Sequence, residues 1–307
     1  MKRDLISIVD VEKDLIALLE LSQSLKNRSM AGQISEPLKG KSLAMIFEKP
    51  STRTRVSFEV AMTELGGHAL YLSTADMQLG RGETIADTAR VLSRYVDGIV
   101  YRAFRHQDML ELARNATVPV INALDDLEHP CQILADLLTV KEKRGELKGL
   151  RLAYVGDGNN VCNSLLLGCA LAGMSMTVGC PEDYGPDERI LESAKRIATQ
   201  YGGLIDVTED PILAVKGADV VYTDVWVSMG AEKEKRRREK VFRDYQVNME
   251  LLAAAKSDCI VMHCLPAHRG KEITDEVVDG PQSVVFDQAE NRLHAQKAAL
   301  VHLLGGA

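Results

Sequence analysis

Within Phe47-Glu-Lys-Pro-Ser51-Thr52-Arg53-Thr54-Arg55-Val56, hydroxyls at Ser51 and Thr52 stand beside guanidiniums at Arg53 and Arg55. Phe58, Ala61, Met62 and Leu65 then recur at helical spacing, so a helix begins at these polar residues, and Gly66-Gly67 closes it. Ser51 or Thr52 is a natural cap. The open N–H groups and positive dipole end of the helix favour a phosphate there. Arg53 and Arg55 each offer charge-assisted, fork-shaped donors. An ordinary capped helix with surface arginines has the same local pattern, so the rest of the chain must decide.

Five further segments carry groups suited to chemistry. Arg102 ends the apolar run Ile99-Val-Tyr101. His129-Pro-Cys-Gln132 follows the run 118–124, and Pro130 fits the first turn of a helix. His129 can donate to a carbonyl oxygen and Gln132 can bond an amide, which together would polarise an acyl group. A structural histidine is the alternative for His129. Asp224, ending 220–224, is suited to an ammonium, with Ser228-Met229-Gly230 in the loop beyond it; a solvated loop acid is the alternative. Cys264 ends 260–264, and there the alternative is a buried apolar thiol. Gly156-Asp-Gly158-Asn-Asn160-Val161 partly matches a dinucleotide fingerprint, but Val161 stands in place of the third glycine, so Asn160 is better placed to offer its amide to a polar substrate. The spacing of His129, Cys131, His263 and Cys264 differs from common zinc sites, and neighbouring strand residues point to opposite faces. No metal and no cofactor are expected.

These residues need a scaffold. Strand-like runs at 43–48, 69–72, 97–102 and 119–124, then at 151–156, 175–179, 220–225, 259–265 and 283–287, alternate with helical segments such as 187–201. The alternation predicts an α/β chain of two doubly wound parallel-sheet domains. Ligands in such sheets gather outside the carboxyl ends of the strands, which places the active site in the cleft between the domains. The expected division is 1–145 and 146–288 across the Gly145–Gly149 boundary, with a C-terminal helix in 289–307 packing back on the first domain.

Composition narrows the class. The 307 residues, 46% of them hydrophobic, suffice for a core in each domain. A formal charge of −7 argues against a general nucleic-acid binder. The run 232–240 mixes both signs like a solvated face. The uncharged stretch 158–181 is broken by asparagines and glycines, as in a buried α/β layer rather than a membrane span. Six cysteines without a CxxC pair point to a reducing compartment. Acidic residues interrupt the N-terminal segment, so no export signal is read and a cytoplasmic location is expected.

Taken in order, Ser51-Thr-Arg-Thr-Arg55, His129-Pro-Cys-Gln132 and His263-Cys-Leu-Pro266 resemble the transcarbamylases along nearly the whole chain. Asp224-Val-Trp-Val-Ser-Met-Gly230 looks like the loop of the ornithine-specific members of that family; aspartate-specific members carry a cationic segment there. The resemblance implies transfer of a carbamoyl group from carbamoyl phosphate to the δ-amine of L-ornithine, in arginine metabolism. Ser51, Thr52, Arg53 and Thr54 would hold the phosphate. Arg102, His129, Gln132 and Arg292 would contact the phosphate or carbamoyl group, with Cys264 and Leu265 at the reacting centre. Gln78 matches a mobile-loop position supplied to the neighbouring subunit of a trimer. Asn160, Asp224, Ser228 and Met229 would hold ornithine. The catalytic set is Arg102, His129, Asp224 and Cys264, working in a homotrimer or a multiple of trimers. Ala267-His268-Arg269-Gly270 departs from other members and leaves the role of that loop open. Competing readings are a transcarbamylase for putrescine or an acylated ornithine, a two-lobed solute-binding protein and a nucleotide-dependent dehydrogenase.

Overall fold

A computed structural model describes residues 2–33, 35–227 and 232–305. It comprises two compact units, Met1–Leu138 with Asn291–Ala307, and Thr139–Glu290.

The first unit contains four parallel strands, β1 (Ser42–Phe47), β2 (His68–Ser73), β3 (Gly98–Arg102) and β4 (Val120–Leu124), in the order β2-β1-β3-β4. All of β3 and β4 is buried, as is β1 after Ser42, which suits apolar runs covered on both faces. The chain leaves β1 to one side and returns on the other as β3, so the strand order reverses between them. Ligand crevices form at such a switch point. Ser51 follows β1 and Arg102 ends β3, which explains why these two polar segments meet the same edge. The N-terminal segment adds a rung beside β4: the Leu5 N–H donates to the Val120 carbonyl at 2.9 Å and the Asn122 N–H to the Leu5 carbonyl at 2.8 Å.

The second unit repeats the logic with β5 (Arg151–Val155), β6 (Ser175–Gly179), β7 (Ile205–Thr208), β8 (Val220–Thr223) and β9 (Ile260–His263), all parallel, in the order β7-β6-β5-β8-β9. Its switch point lies between β5 and β8, where Gly156–Asn160 and Asp224 emerge. Every residue from Val161 to Leu171 in the helix Asn160–Leu171 is buried, which accounts for the uncharged stretch. Trp226, Phe242 and Tyr245 pack with Val155, Val221 and Val261 on one face of the sheet.

The structure departs from the sequence expectations in three places. Strand β7 was not anticipated. It is four residues long, and a half-exposed edge strand with Asp206 in it carries little apolar signal. The strand expected at 283–287 is instead the approach to the helix Val285–Leu304, and Ser283 contributes only a single bridge to Val261. Two adjacent valines there imitate a strand locally. The units divide within the helices Pro130–Arg144 and Val285–Leu304, not at Gly145–Gly149, because continuous helices carry the chain from one unit to the other. Asn291 onward belongs to the first unit, where the Lys26 ammonium donates to Asn291 Oδ1 at 2.8 Å. Among the described residues no helix is long and apolar enough to cross a membrane.

Candidate active site

The helix Thr52–Glu64 starts five residues after β1, with Ser51 as its extended N-cap. Ser51 Oγ accepts the Thr54 N–H at 3.4 Å and donates to Thr54 Oγ1 at 3.0 Å. Thr54 is buried, and Arg292, from the last helix, donates an Nη2–H to its hydroxyl at 2.7 Å. His129 and Gln132 are buried at the start of Pro130–Arg144, directly beyond β4. Burial, followed by the positive charges of Arg292 and Arg102, holds the His129 imidazole well below its usual range. That coupling gathers two buried guanidiniums around a neutral ring. Gln132 donates from Nε2 to Asp136 Oδ1 at 2.8 Å, while its buried Oε1 has no partner. An unmade bond of that kind costs about 1–3 kcal/mol, which an N–H of a ligand would relieve.

One expected contributor is placed otherwise. Arg55 pairs with Glu59 at 2.9 Å and lies 3.9 Å over the Tyr71 ring. Residues two apart on a helix point to nearly opposite faces, so Arg53 and Arg55 cannot serve one anion together. Gln78 sits exposed on the 3-10 turn Gln78–Arg81.

In the second unit Asn159 caps the helix Asn160–Leu171. Its Oδ1 accepts the N–H groups of Val161 and Cys162 at 3.0 and 3.1 Å, and its Nδ2 donates to Asp224 Oδ2 at 2.8 Å. Asn160 is the first helical residue and is partly exposed. An Asn directly before an apolar helix is the cap signal that identifies Asn159. Cys264 donates its S–H to the other Asp224 oxygen at 3.1 Å. Gly158 serves chain packing rather than a pyrophosphate: a Cβ there would lie 2.2 Å from the Gly185 carbonyl carbon.

His263 fixes the turn that carries Cys264. Its Nδ1 accepts the Leu265 N–H at 2.9 Å, so the proton of the neutral ring is on Nε2, which faces Glu272 Oε1 at 3.3 Å. Leu265 is held at a φ of +57°, which branched residues rarely adopt. Potential ligand atoms of Asp224, His263 and Cys264 lie within 4.8 Å of one another. This corrects the expectation that His263 and Cys264 point apart: Cys264 lies past the end of β9, where strand alternation lapses. Both ring nitrogens of His263 have partners in Leu265 and Glu272, so within the trio the hydrogen bond is the one between Cys264 and Asp224. Ser228, Met229 and Gly230 lie outside the described residues.

Two switch-point sites on doubly wound sheets, one cationic and one built on a carboxylate and a thiol, place the chain among two-domain α/β proteins with ligand sites at the carboxyl ends of their strands. Residues 3–142 match the family model described as the carbamoyl-P binding domain of aspartate/ornithine carbamoyltransferase, and residues 148–303 match its Asp/Orn binding domain. The chain belongs to the aspartate/ornithine carbamoyltransferase family. It is 59% identical over 304 residues to the ornithine carbamoyltransferase of Archaeoglobus fulgidus, covering 99% of this chain and 98% of the relative. The Methanosarcina mazei ornithine carbamoyltransferase is 58% identical over 305 residues, covering 99% and 100%. The solved ornithine carbamoyltransferase structure from Pyrococcus furiosus superposes with a TM-score of 0.97 at 55% identity, covering 100% of this chain and 98% of that one.

Proposed function

We infer that the chain transfers the carbamoyl group of carbamoyl phosphate to the δ-amine of L-ornithine, giving L-citrulline and phosphate. The observation that carries this reading is the buried group Arg102, His129 and Arg292, with Thr54 joined to it through Arg292. It is buried and cationic, and its imidazole is held toward the neutral form. Such a site suits a phosphorylated acyl group, whose charge needs guanidiniums and whose carbonyl needs a donor that is not itself a strong acid.

Ser51, Thr52, Arg53 and Thr54 hold the phosphate. Arg102, His129, Gln132 and Arg292 contact the phosphate and carbamoyl oxygens, and the open Oε1 of Gln132 takes a carbamoyl N–H. Gln78 reaches the site of a neighbouring copy. Asp224, Asn160, Ser228 and Met229 bind ornithine, joined by Asn159, which orients the Asp224 carboxylate. Cys264 and Leu265 flank the reacting centre. The neutral δ-amine attacks the carbonyl carbon and the C=O electron pair moves onto oxygen. Arg102, the His129 N–H and Thr54 stabilise that oxyanion; as it collapses, the C–O bond to phosphate breaks and the departing phosphate takes the proton that the amine nitrogen gives up. No covalent enzyme intermediate is needed, because phosphate already leaves readily and the protein's task is orientation and charge stabilisation.

The chain assembles as a homotrimer or a multiple of trimers. Support comes from the half-exposed edge strand β2, with exposed apolar side chains at Val56, Val60 and Leu70 nearby in sequence. The absence of disulfides among the six cysteines is compatible with the cytoplasm. Citrulline formation, with saturation curves for both substrates against a panel that includes putrescine and acetylated ornithine, tests the reaction. Preferential carbamoylation of another amine would overturn ornithine as the acceptor.

A further inference from the structure

The loop that delivers His129 is built on a buried acid. Asp125 is fully buried immediately after β4. Its Oδ1 accepts the N–H groups of Leu127 and Glu128 at 2.9 and 2.8 Å, and its own N–H donates to the Glu128 carbonyl at 3.0 Å. Its Oδ2 accepts from the Asn122 amide at 2.9 Å and faces His106 Nδ1 at 2.7 Å. The His106 backbone N–H donates to Asp126 Oδ1 at 2.7 Å. His106 opens the helix His106–Asn115, which begins four residues after Arg102. One imidazole therefore ties the segment following Arg102 to the loop preceding His129.

We propose that His106 is a positioning residue for carbamoyl phosphate: by holding Asp125, it fixes the 125–128 loop and so the placement of His129 and Gln132. The proposal rests on the reading that His129 and Gln132 contact carbamoyl phosphate. The ring also lines a cavity of about 870 Å³ bounded by the N-terminal segment, so solvent protons reach it. The ionisable groups around it are Asp125, Asp126 and Glu128 on the loop, with Lys2, Arg3, Asp4, Asp10, Glu12, Lys13, Asp14, Arg114 and His302 around the cavity. The hydrogen bond to Asp125 comes first among the influences that raise the His106 proton affinity. The charged, tightest form of the contact therefore persists at mildly acidic pH and weakens as pH rises.

The test is steady-state kinetics of the full-length enzyme from pH 6 to 9, comparing wild type with His106→Ala, His106→Asn and Arg53→Ala. Asn carries an amide where Nδ1 sits and does not titrate. His106→Ala should raise the carbamoyl phosphate KM by about fivefold or more and lower kcat with it, because the displaced His129 also serves the oxyanion, while the ornithine KM stays within about twofold. His106→Asn should restore that KM and remove its rise with pH. A wild-type carbamoyl phosphate KM in His106→Ala across the range, while Arg53→Ala is impaired, overturns the positioning role alone. An unimpaired Arg53→Ala overturns the phosphate assignment, and the inference falls with it. Should His106→Ala fail to fold, the pH profile of His106→Asn decides: a rise matching wild type overturns the role.

Discussion

Arg238 and Asp157 form a mostly buried ion pair, Nη1 to Oδ2 at 2.9 Å, and the same Nη1 donates to the Trp226 carbonyl at 3.1 Å. The guanidinium also pairs with Glu234 at 3.1 Å and lies 4.9 Å from the centre of the Tyr184 ring. It joins three segments: the helix Lys235–Val241, the turn that leads into Asn159, and the stretch that follows Asp224. Its neighbours Arg236 and Arg237 are exposed. Arg238→Ala should raise the ornithine KM by about tenfold, because it leaves Asp157 buried without this partner and loosens the turn. Arg238→Lys should recover only part of this, since an ammonium cannot reproduce the fork. Ala at 236 or 237 should change stability by less than about 0.5 kcal/mol. Kinetics with each substrate varied in turn check this; an equal rise in both KM values would contradict a local role.

Gly158 gives a sharper structural test. A Cβ there would meet the Gly185 carbonyl carbon at 2.2 Å and the Pro186 nitrogen at 2.3 Å, both backbone atoms that cannot rotate away. Gly158→Ala must push the turn off the 185–186 segment and carry Asn159 away from Asp224. The expected cost is about 1–3 kcal/mol of stability together with weaker ornithine binding. Gly185→Ala, whose Cβ meets nothing within 4 Å, is the control and should behave as wild type. Thermal unfolding of the two variants and their ornithine KM values give the comparison.

Two histidines of the first unit, His129 and His106, shift in opposite directions, so they should shape stability oppositely with pH. His129 is held low by burial, then by Arg292 and Arg102. Below about pH 6.5 the unfolded chain binds a proton there that the folded chain does not, so stability falls as pH drops. His106 is held high, chiefly by its bond to Asp125. Its contribution is fully present below about pH 6.5 and is lost as pH rises through the raised folded value. Denaturant unfolding between pH 5 and 8 should show His129→Gln losing less stability than wild type toward acid, and His106→Asn losing less toward base. Parallel curves for all three proteins would contradict both assignments.

Much of the scaffold was legible because buried parallel strands are continuous apolar runs, and eight of the nine strands announce themselves that way. The capped helix after Ser51 and the proline-started helix after His129 were legible for the same local reason. What escaped depends on tertiary context. Strand β7 is a short edge. The Val284-Val285 pair has strand character until the helix Val285–Leu304 overrides it. Arg53 and Arg55 look equivalent in sequence, but helical geometry sends one of them to Glu59 and Tyr71. In the run 232–240 nothing local distinguishes Arg238 from its exposed neighbours; only Asp157, far away in sequence, selects it.

The pair Asp224 and Cys264 carries the most demanding prediction. Both Asp224 oxygens are engaged, Oδ2 by Asn159 at 2.8 Å and Oδ1 by the Cys264 thiol at 3.1 Å. On the proposed assignment of Asp224 to ornithine, an arriving δ-amine meets a carboxylate already fixed in direction. Asp224→Asn removes the charge that draws the amine and should cost about 3 kcal/mol in kcat/KM for ornithine, roughly a hundredfold. Cys264→Ala leaves the charge but frees one oxygen to turn, so it should raise ornithine KM and lower kcat by about tenfold. If the thiol acts by orienting the carboxylate, the two losses cannot add: once Asp224 is replaced, removing Cys264 has little left to disturb. A double-mutant cycle should give a coupling of about 1 kcal/mol or more, while the carbamoyl phosphate KM stays near wild type in all three variants. Additive losses would assign Cys264 a role independent of Asp224, and an unaltered Cys264→Ala enzyme would remove it from the reaction.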